Sequence, residues 1–463
     1  MFDQQKNRRK AFSAVGFAAL LLLSSRISFA QAVGGVFIDA EGILRQTTSP
    51  TASDKLKQIQ FESVSGPTST DVAKSSKLRK ISLSRLEARL AHLHSEGKPI
   101  PSEMQFLAGL QAVQYVFFFP DQNDVVLAGP AEGWQQIPSG EVVGRRSNRP
   151  VLHLDDLVVA LRSAFGSYGN APFIGCSIDP TAEGLDKYVR YMSSLGKFDS
   201  SRAEETFSGM ARALGMQSIR LFGIPASSRF SLKMVAADYR LKRIALGHDP
   251  SHVRQVTNYL DLAVKRSSSR TKKQHRWWFV GDFDAIEHTA DETAFELRGQ
   301  AVKVVTAPSF PTSASTKSEK PSRSAARFAH SFSKHLPKIA RKLPIFAELQ
   351  NLTRLAVAAQ LIAEKHRVQN KTSVDSAGWS PHHFLDEKNC GIQEFNVPSE
   401  VPSIANYRRS PGKQWVISVS GGVEIRPREL AGRKFRKESN NSALRQTQEK
   451  IRTTSQTANW WWD

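Results

Sequence analysis

Positive charge in this chain is segregated, and that segregation limits which segments can build a core. The net charge is +21 over 463 residues, with an isoelectric point near 10.0. Residues 265–276 hold six cations and no acid, residues 317–342 eight cations against Glu319, and residues 426–463 nine cations against four acids. The rest of the chain beyond residue 30 is close to neutral. Like-charged polar stretches are commonly solvated and serve as interaction arms. The three stretches are therefore expected to act as linkers and a tail, giving only weak attraction to anionic surfaces, and removal of 433–463 is expected to leave the core intact. Aromatic residues are sparse within them, so the charge predicts no dedicated nucleic-acid interface, which needs stacking groups beside its cations.

The chain opens with the three parts of an export signal. Lys6, Arg8, Arg9 and Lys10 supply the charge, residues 11–23 an apolar run, and Ser28-Phe29-Ala30 the small-residue pattern. Cleavage between Ala30 and Gln31 is expected, which places the protein in the periplasm or outside the cell. The apolar run is closed by Arg26 and falls short of the roughly 20 residues a spanning helix needs, so no anchor is expected after cleavage. Arg8-Arg9 also suits a twin-arginine signal, but Phe12 stands one place too far along, which favours the general secretory route. A mean hydropathy of −0.36 suits a soluble mature chain. Cys176 and Cys390 stand in no metal-ligand spacing. Nothing in the sequence brings their Cα atoms within the about 7 Å that a disulfide requires, so two free thiols are expected.

The segments divide as follows. A short hairpin is expected at 31–45 and a Ser/Thr/Pro/Lys linker at 46–77. An α+β core spans 78–306, a second linker 307–324, a helical and hairpin completion of the core 325–432, and a disordered basic tail 433–463. Ser84 and Glu87 have the spacing of a capping box, ahead of Leu86, Leu90 and Leu93 on one helix face. Ser102 is placed to cap a second helix through Phe106 and Leu110. Strands are expected at 115–119, 124–128, 173–178, 218–223, 230–235, 276–280, 294–297 and 302–306. Helices are expected from Asp155, from Asp179-Pro180, and at 202–214, 236–246, 252–264 and 344–368, and a hairpin at 415–425 turning at Ser420-Gly421-Gly422. Irregular alternation with hairpins predicts mixed sheets and packed helices in one composite core, rather than a doubly wound parallel sheet.

Several of these segments resemble a family of exported proteins from planctomycete bacteria defined only by a domain of unknown function. The similarity is carried by GGVFIDAEGILR at 34–45, FLAGLQAVQYVFFFPDQNDVVLAGPAEGW at 106–134 and RPVLHLDDLVVALR at 149–162. It continues through CSIDPTAEGL at 176–185, AADYRLKRIALG at 236–247, RWWFV at 276–280 and PIFAELQNLTRLAVAA at 344–359. The resemblance implies export and a single composite domain, and it transfers no catalytic residue.

The familiar catalytic and nucleotide signatures are missing: no GxSxG, HExxH, Walker A, GxGxxG or EF-hand loop occurs. His382-His383 with Asp386 and Glu387 has the ligand types for a metal but not the spacing of a known site, so no metal and no cofactor is assigned. Asp155-Asp156, and Asp179 with Glu183, follow strands, where α/β sites often lie; Asp155 and Asp179 equally suit helix caps, and capping explains them with less. Asp238, Arg240, Lys242 and Arg243 either line an anionic pocket or form a solvated helix face with Tyr239 and Leu241 packed inward. Trp277 and Trp278 point to opposite faces of a strand. Trp460-Trp461-Trp462 either stacks on a sugar or partner pocket, or folds back on its own chain. The leading expectation is a non-enzymatic exported binding or envelope-associated structural protein, with an envelope polymer or protein as partner. The alternative is an exported hydrolase using Asp155, Asp179, Asp238 and Arg240, which requires those groups to converge on one concave pocket. Intact mass of the protein from its native host is expected to place the amino terminus at Gln31; a chain keeping residues 20–23 would mean a retained anchor.

Overall fold

The computed structural model describes residues 36–38, 44–46, 70–137, 140–169, 171–195, 200–266, 275–308, 321–372, 379–410, 413–432, 434–439, 442–454 and 459–463. The expected export signal, its Ala30–Gln31 junction and most of the expected linkers lie outside these residues. Val36–Ile38 (β1) and Leu44–Gln46 (β2) pair antiparallel within the hairpin expected at 31–45. The core begins earlier than 78: Thr70–Ala73 is a short helix (α1) and Ser76–Ser82 a strand (β3), in which Arg79 and Ile81 are fully buried. The polar letters concealed this strand because two of its three cations, Arg79 and Lys80, are buried. Helix α2 (Leu83–Ser95) buries Leu83, Leu86, Leu90 and Leu93, but its cap is Ser82, whose hydroxyl oxygen accepts from the Arg85 amide at 3.2 Å. The expected Ser84–Glu87 box does not form. Ser84 donates to Asp124 at 2.7 Å, and Glu87 accepts from Trp379 Nε1 at 2.7 Å and the His383 amide at 2.6 Å. Distant donors win over the local cap. Helix α3 (Ser102–Gln105) follows Pro101 and stops short of Leu110, because Leu107, Ala108 and Gly109 adopt successive positive φ values of 44°, 50° and 76°.

Tyr115–Phe119 (β4) and Asp124–Ala131 (β5) form the expected hairpin, and Trp134–Gln136 (β6) and Val142–Gly144 (β7) a smaller one. Helix α4 (Leu154–Phe165) starts from His153, so Asp155 is a first-turn residue and not the cap. Strand β8 (Ile174–Pro180) stays extended through Asp179 and Pro180. Thr181 caps α5 (Ala182–Ser194), accepting from the Gly184 amide at 3.0 Å. The Asp179 carboxylate is drawn instead toward Arg220, at 3.5 Å. Helix α6 (Ala203–Leu214) and strand β9 (Met216–Phe222) fall where expected. The strand expected at 230–235 is the start of a helix, α7 (Arg229–Ala245). Phe230, Leu232 and Met234 mimic a period of two, but Phe230, Met234, Ala237, Leu241 and Ile244 are all buried at helical spacing. Helix α8 (Tyr259–Arg266) begins later than 252, because Asn258 caps it by accepting from the Asp261 amide at 2.8 Å.

Four strands follow: His275–Asp282 (β10), Ala285–His288 (β11), Ala294–Arg298 (β12) and Ala301–Pro308 (β13). Most of the basic stretch 317–342 is helix α9 (Arg323–Lys342). Ala325, Phe328, Phe332, Leu336 and Ile339 are buried on one side, while Arg323, Arg327, Lys334, Lys338, Arg341 and Lys342 are exposed. Counting charge without reading its period hid an amphipathic helix. Helix α10 (Pro344–Thr372) buries the predicted Phe346, Leu349, Leu352, Ala356, Ala359 and Ile362. Next come α11 (His382–Leu385), β14 (Glu400–Pro402) and β15 (Ala405–Ser410). Strand β16 (Lys413–Ile425) runs straight through Ser420-Gly421-Gly422, where a turn was expected; the glycines serve close approach to neighbouring strands rather than chain reversal. The tail adds α12 (Pro427–Leu430), β17 (Arg436–Glu438), α13 (Ala443–Thr454) and β18 (Trp461–Trp462).

The fold is α+β. One seven-stranded sheet has the order β13-β10-β16-β8-β9-β14 with β15 paired to β16; a second has the order β17-β11-β12-β4-β5-β3-β18. The pairs β10–β16 and β11–β17 are parallel, which makes both sheets mixed. One side of the first sheet carries Cys176, Ile178, Trp277 and Phe279 into the main core. There Phe279 stacks near Phe332 and Phe346, with ring centroids 6.2 and 5.8 Å away, and Trp277 lies 4.7 Å from Tyr259. Both cysteines are buried free thiols. The tail folds back on its own chain instead of trailing as a disordered arm, since its tryptophans bury enough apolar surface to offset their ordering. Trp462 is 7 % exposed and packs with Phe117, Phe119, Leu444 and Ile451. Trp462→Ala is expected to lower the unfolding free energy by roughly 3 kcal/mol, the usual order for emptying an aromatic site. An unchanged urea midpoint would restore the solvated-arm reading.

Candidate functional site

Helix α7 supplies the buried half of the site. Asp238 and Lys242, one turn apart, both face the first sheet and are fully buried, with Lys242 Nζ 2.9 Å from Asp238 Oδ2. The same Nζ donates to the Ile178 carbonyl on β8 at 3.3 Å. Burial pushes the Asp238 pKa up, and Lys242 and Arg276 pull against that rise. Gly421 makes the space: a Cβ there would stand 2.7 Å from Asp238 Oδ1 and 2.9 Å from Lys242 Cε, and would collide with the Trp277 carbonyl oxygen. The solvated helix face expected for this segment is thus half wrong. Tyr239 and Leu241 are buried as expected, but so are Asp238 and Lys242. Arg240 and Arg243 turn away from the sheet to Asp249, at 2.9 and 2.8 Å. Asp249 borders a groove of about 300 Å³ shared with Ser251, His252, Arg254 and Asn258, and Arg240 is tied to Asp249 and not to the Asp238 pair.

The other half lies across the sheet. Strand alternation sends Cys176 and Ile178 toward α7, and Ser177 and Asp179 to the opposite face. Asp179 Oδ2 accepts from Arg220 at 3.5 Å, and Arg276 stands 4.0 Å from Oδ1. The Ser177 hydroxyl is buried and meets no hydrogen-bond partner among the described residues. Strand register sets Val305, Trp278, Gly422, Ser177 and Arg220 in one row across five strands. The Arg276 guanidinium lies 5.6 Å over the Trp278 ring. Farther along this face Phe173 and Phe222 have ring centroids 5.0 Å apart, and Arg426 sits 5.7 Å over Phe173. Trp278 and Arg276 are half-buried and Arg220 is 67 % exposed, in contrast to the sealed residues on the α7 side. The face therefore offers an indole, guanidinium forks and a carboxylate in one strip, with the buried Ser177 hydroxyl among them. Such groups stack on rings and donate to carboxylates or hydroxyls.

Asp155 stands elsewhere. It accepts from the Gln393 amide at 3.2 Å, while its neighbour Asp156 pairs with Arg229 on α7. Arg229 and Lys233 each reach Glu348 on α10 at 3.0 Å, and Asp156, Arg229, Lys233 and Glu348 are all buried. Burial pushes Asp155 and Asp156 up to about 6 against the pull of the cations. Glu183 is exposed and pairs with Lys187 at 2.6 Å. His382, His383, Asp386 and Glu387 form no ligand shell, and no group of three His, Cys, Asp or Glu suited to a metal occurs among the described residues. The His383 and Phe384 amides go to Glu87, and Asp386 accepts from Lys388 and Asn389. Of the four sequence candidates, Asp179 and Asp238 share one region on opposite sides of a sheet, and Asp155 and Arg240 join other clusters. Sequence reasoning missed Arg220, Arg276, Ser177 and Gly421. A period-two reading of Arg276-Trp277-Trp278 would have paired Arg276 with Trp278. Lys242→Met is expected to cost about 3–5 kcal/mol of stability by stranding a buried carboxylate, and Asp238→Asn/Lys242→Met distinctly less. Additive losses in urea unfolding would contradict a coupled pair.

Residues 176–259, from β8 to the first residue of α8, match the model of a family described as a protein of unknown function (DUF1598). Ser177, Asp179, Arg220, Asp238, Arg240 and Lys242 fall inside the match, and Arg276 and Trp278 outside it. No curated protein and no solved structure matches the chain. Over those residues, then, the chain carries a DUF1598 domain, whose function is unknown.

Proposed function

We propose that this chain is an exported binding protein without catalytic activity, and that the outward face of its first sheet holds an envelope polymer. The row Val305-Trp278-Gly422-Ser177-Arg220, flanked by Arg276 and Asp179, carries the reading. An indole beside a glycine offers a flat patch for a sugar ring. The flanking guanidinium groups suit carboxylates or hydroxyls of the same polymer. The hydrolase alternative draws less support. Paired carboxylates of a glycoside-hydrolysing site stand roughly 5–10 Å apart. Asp155 couples to Arg229, nine residues before Asp238 on α7 and therefore about 14 Å away along the helix. Asp238 is sealed against Lys242 beneath the sheet that carries Asp179.

Tagged mature protein is expected to retain a polymer from envelope extract. Trp278→Ala/Arg220→Ala should weaken that retention by about tenfold or more, the effect of losing one to two kcal/mol of contact, while the melting temperature stays close to native. Retention untouched by the double substitution would count against this face. Polymer cleavage that disappears in Asp179→Asn would favour the hydrolase.

A further inference from the structure

The outer edge of β3 in the second sheet is occupied by a segment of the same chain, and the way it is held has the features of peptide recognition. Trp461 and Trp462 pair antiparallel with Ile81 and Lys80, and the Ser82 amide donates to the Trp460 carbonyl at 2.9 Å. This is strand addition, in which main-chain hydrogen bonds hold a segment and pockets for its side chains select it. Trp460 packs into the main core and Trp462 into the cluster around Phe117 and Phe119. Trp461 lies under the Arg79 guanidinium, 4.8 Å from ring to carbon. Arg85 sits 5.7 Å over Trp462 and donates to the Asn459 carbonyl at 3.2 Å.

Arg79 sets the specificity. It is fully buried, and its guanidinium grips both carboxylate oxygens of Asp463, at 2.8 and 2.7 Å. Its remaining donors meet carbonyls that the fold already holds in place: Val72 at 2.9 Å, Ala108 at 2.7 Å and Lys74 at 3.0 Å. Ala108 is offered by the left-handed turn at 107–109, in which Gly109 cannot carry a Cβ because the Glu132 carbonyl oxygen occupies that space. Neutral carbonyls leave the positive charge uncompensated, and a buried cation without an anion is costly. The slot therefore requires a carboxylate at one position. Against the cost of burial, hydrogen bonds from Arg79 and Ser76 hold the Asp463 carboxyl below its ordinary pKa.

We propose that this edge is a peptide-binding slot for an extended Trp-Trp-Asp segment, and that segment 459–463 of a second copy of the chain enters it in exchange for the resident one. Every copy carries both the slot and the segment that fits it. Closed and exchanged forms make the same contacts, so concentration and the length of the connection decide between them. The four residues 455–458 join α13 to the bound segment and reach about 14 Å when extended, so exchange brings the two β3 edges close together.

The probe is a labelled, carboxyl-amidated peptide of residues 455–463, whose only carboxylate is the Asp463 side chain. Full-length Trp461→Ala/Asp463→Asn, which loosens its own segment, is expected to bind this peptide about tenfold or more tightly than the native chain does. The Asp463→Asn peptide should bind about tenfold or more weakly. If the double variant fails to fold by circular dichroism, full-length Asp463→Asn keeps all three tryptophans and gives the same readout. Light scattering after gel filtration is expected to find a native dimer that grows with concentration, and none in the double variant. A folded variant that ignores the peptide, or a peptide indifferent to Asp463→Asn, would overturn the slot. Peptide binding by a chain that stays monomeric at every concentration would overturn the exchange.

Discussion

A charge taken out of water must meet a counter-charge or a full set of dipoles in the same step, and this requirement positions the helices of the protein. Lys242, paired with Asp238 on the same helix, donates to the Ile178 carbonyl and so ties α7 to the first sheet. Asp156, Arg229, Lys233 and Glu348 tie α4, α7 and α10 to one another. Arg162, 1 % exposed, donates to the Phe384 and Cys390 carbonyls and so draws the 384–390 loop onto α4. Hydrophobic contacts among these helices tolerate sliding by a fraction of a turn. A buried ion pair does not, because misplacement strands charge at a cost of about 3–5 kcal/mol. The apolar core supplies cohesion, and the paired charges fix register.

These pairs are also what sequence periodicity reads least well. The β4–β5 hairpin and α10 were legible because apolar residues there repeat at strand or helix spacing, and β10 because Trp277, Phe279 and their neighbours alternate. Helix α9 has the same regularity in Phe328, Phe332, Leu336 and Ile339, yet eight cations in the surrounding stretch drew attention to composition instead of period. Ser82, Thr181 and His153 took the helix starts assigned to Ser84, Asp179 and Asp155, a shift of two residues each. Local rules place a cap only to that precision when a neighbouring oxygen can serve equally and the nominal cap has a distant partner. Glu87 illustrates the cause, since the donors that claim it lie nearly three hundred residues away in sequence.

Of the candidate site, Asp179 and Asp238 were recognisable as unusual polar residues near strands, but their relation was not. A helix face and a strand end give no sign in sequence that they oppose each other through a sheet. Gly421 connects them. A glycine pair between two apolar runs reads as a turn, whereas here the absent side chain admits the Asp238–Lys242 pair to the sheet surface. The turn reading and the missed site share one origin, the treatment of glycine as a chain-reversal signal where it serves close approach.

The positive charge takes on a different meaning once it is placed on structure. Six cations of the 317–342 stretch line the outward side of α9, and Arg276, counted within the first basic run, stands on the open sheet face above Trp278. Charges on mobile arms must be ordered each time they bind, at about 0.5–1.5 kcal/mol for each immobilised side chain and more for backbone. A cation fixed on a strand has already met most of that cost in folding. Arg276 is partly held by the Trp278 ring and by Asp179, and Arg426 by Phe173, Glu424 and Glu429. Such preorganised cations favour selection of carboxylate geometry over general attraction to any polyanion, because their forks point in set directions. This is why the proposed polymer-binding face lies on the sheet, where charge and aromatic surface are held together, and not on the basic stretches that dominate the composition.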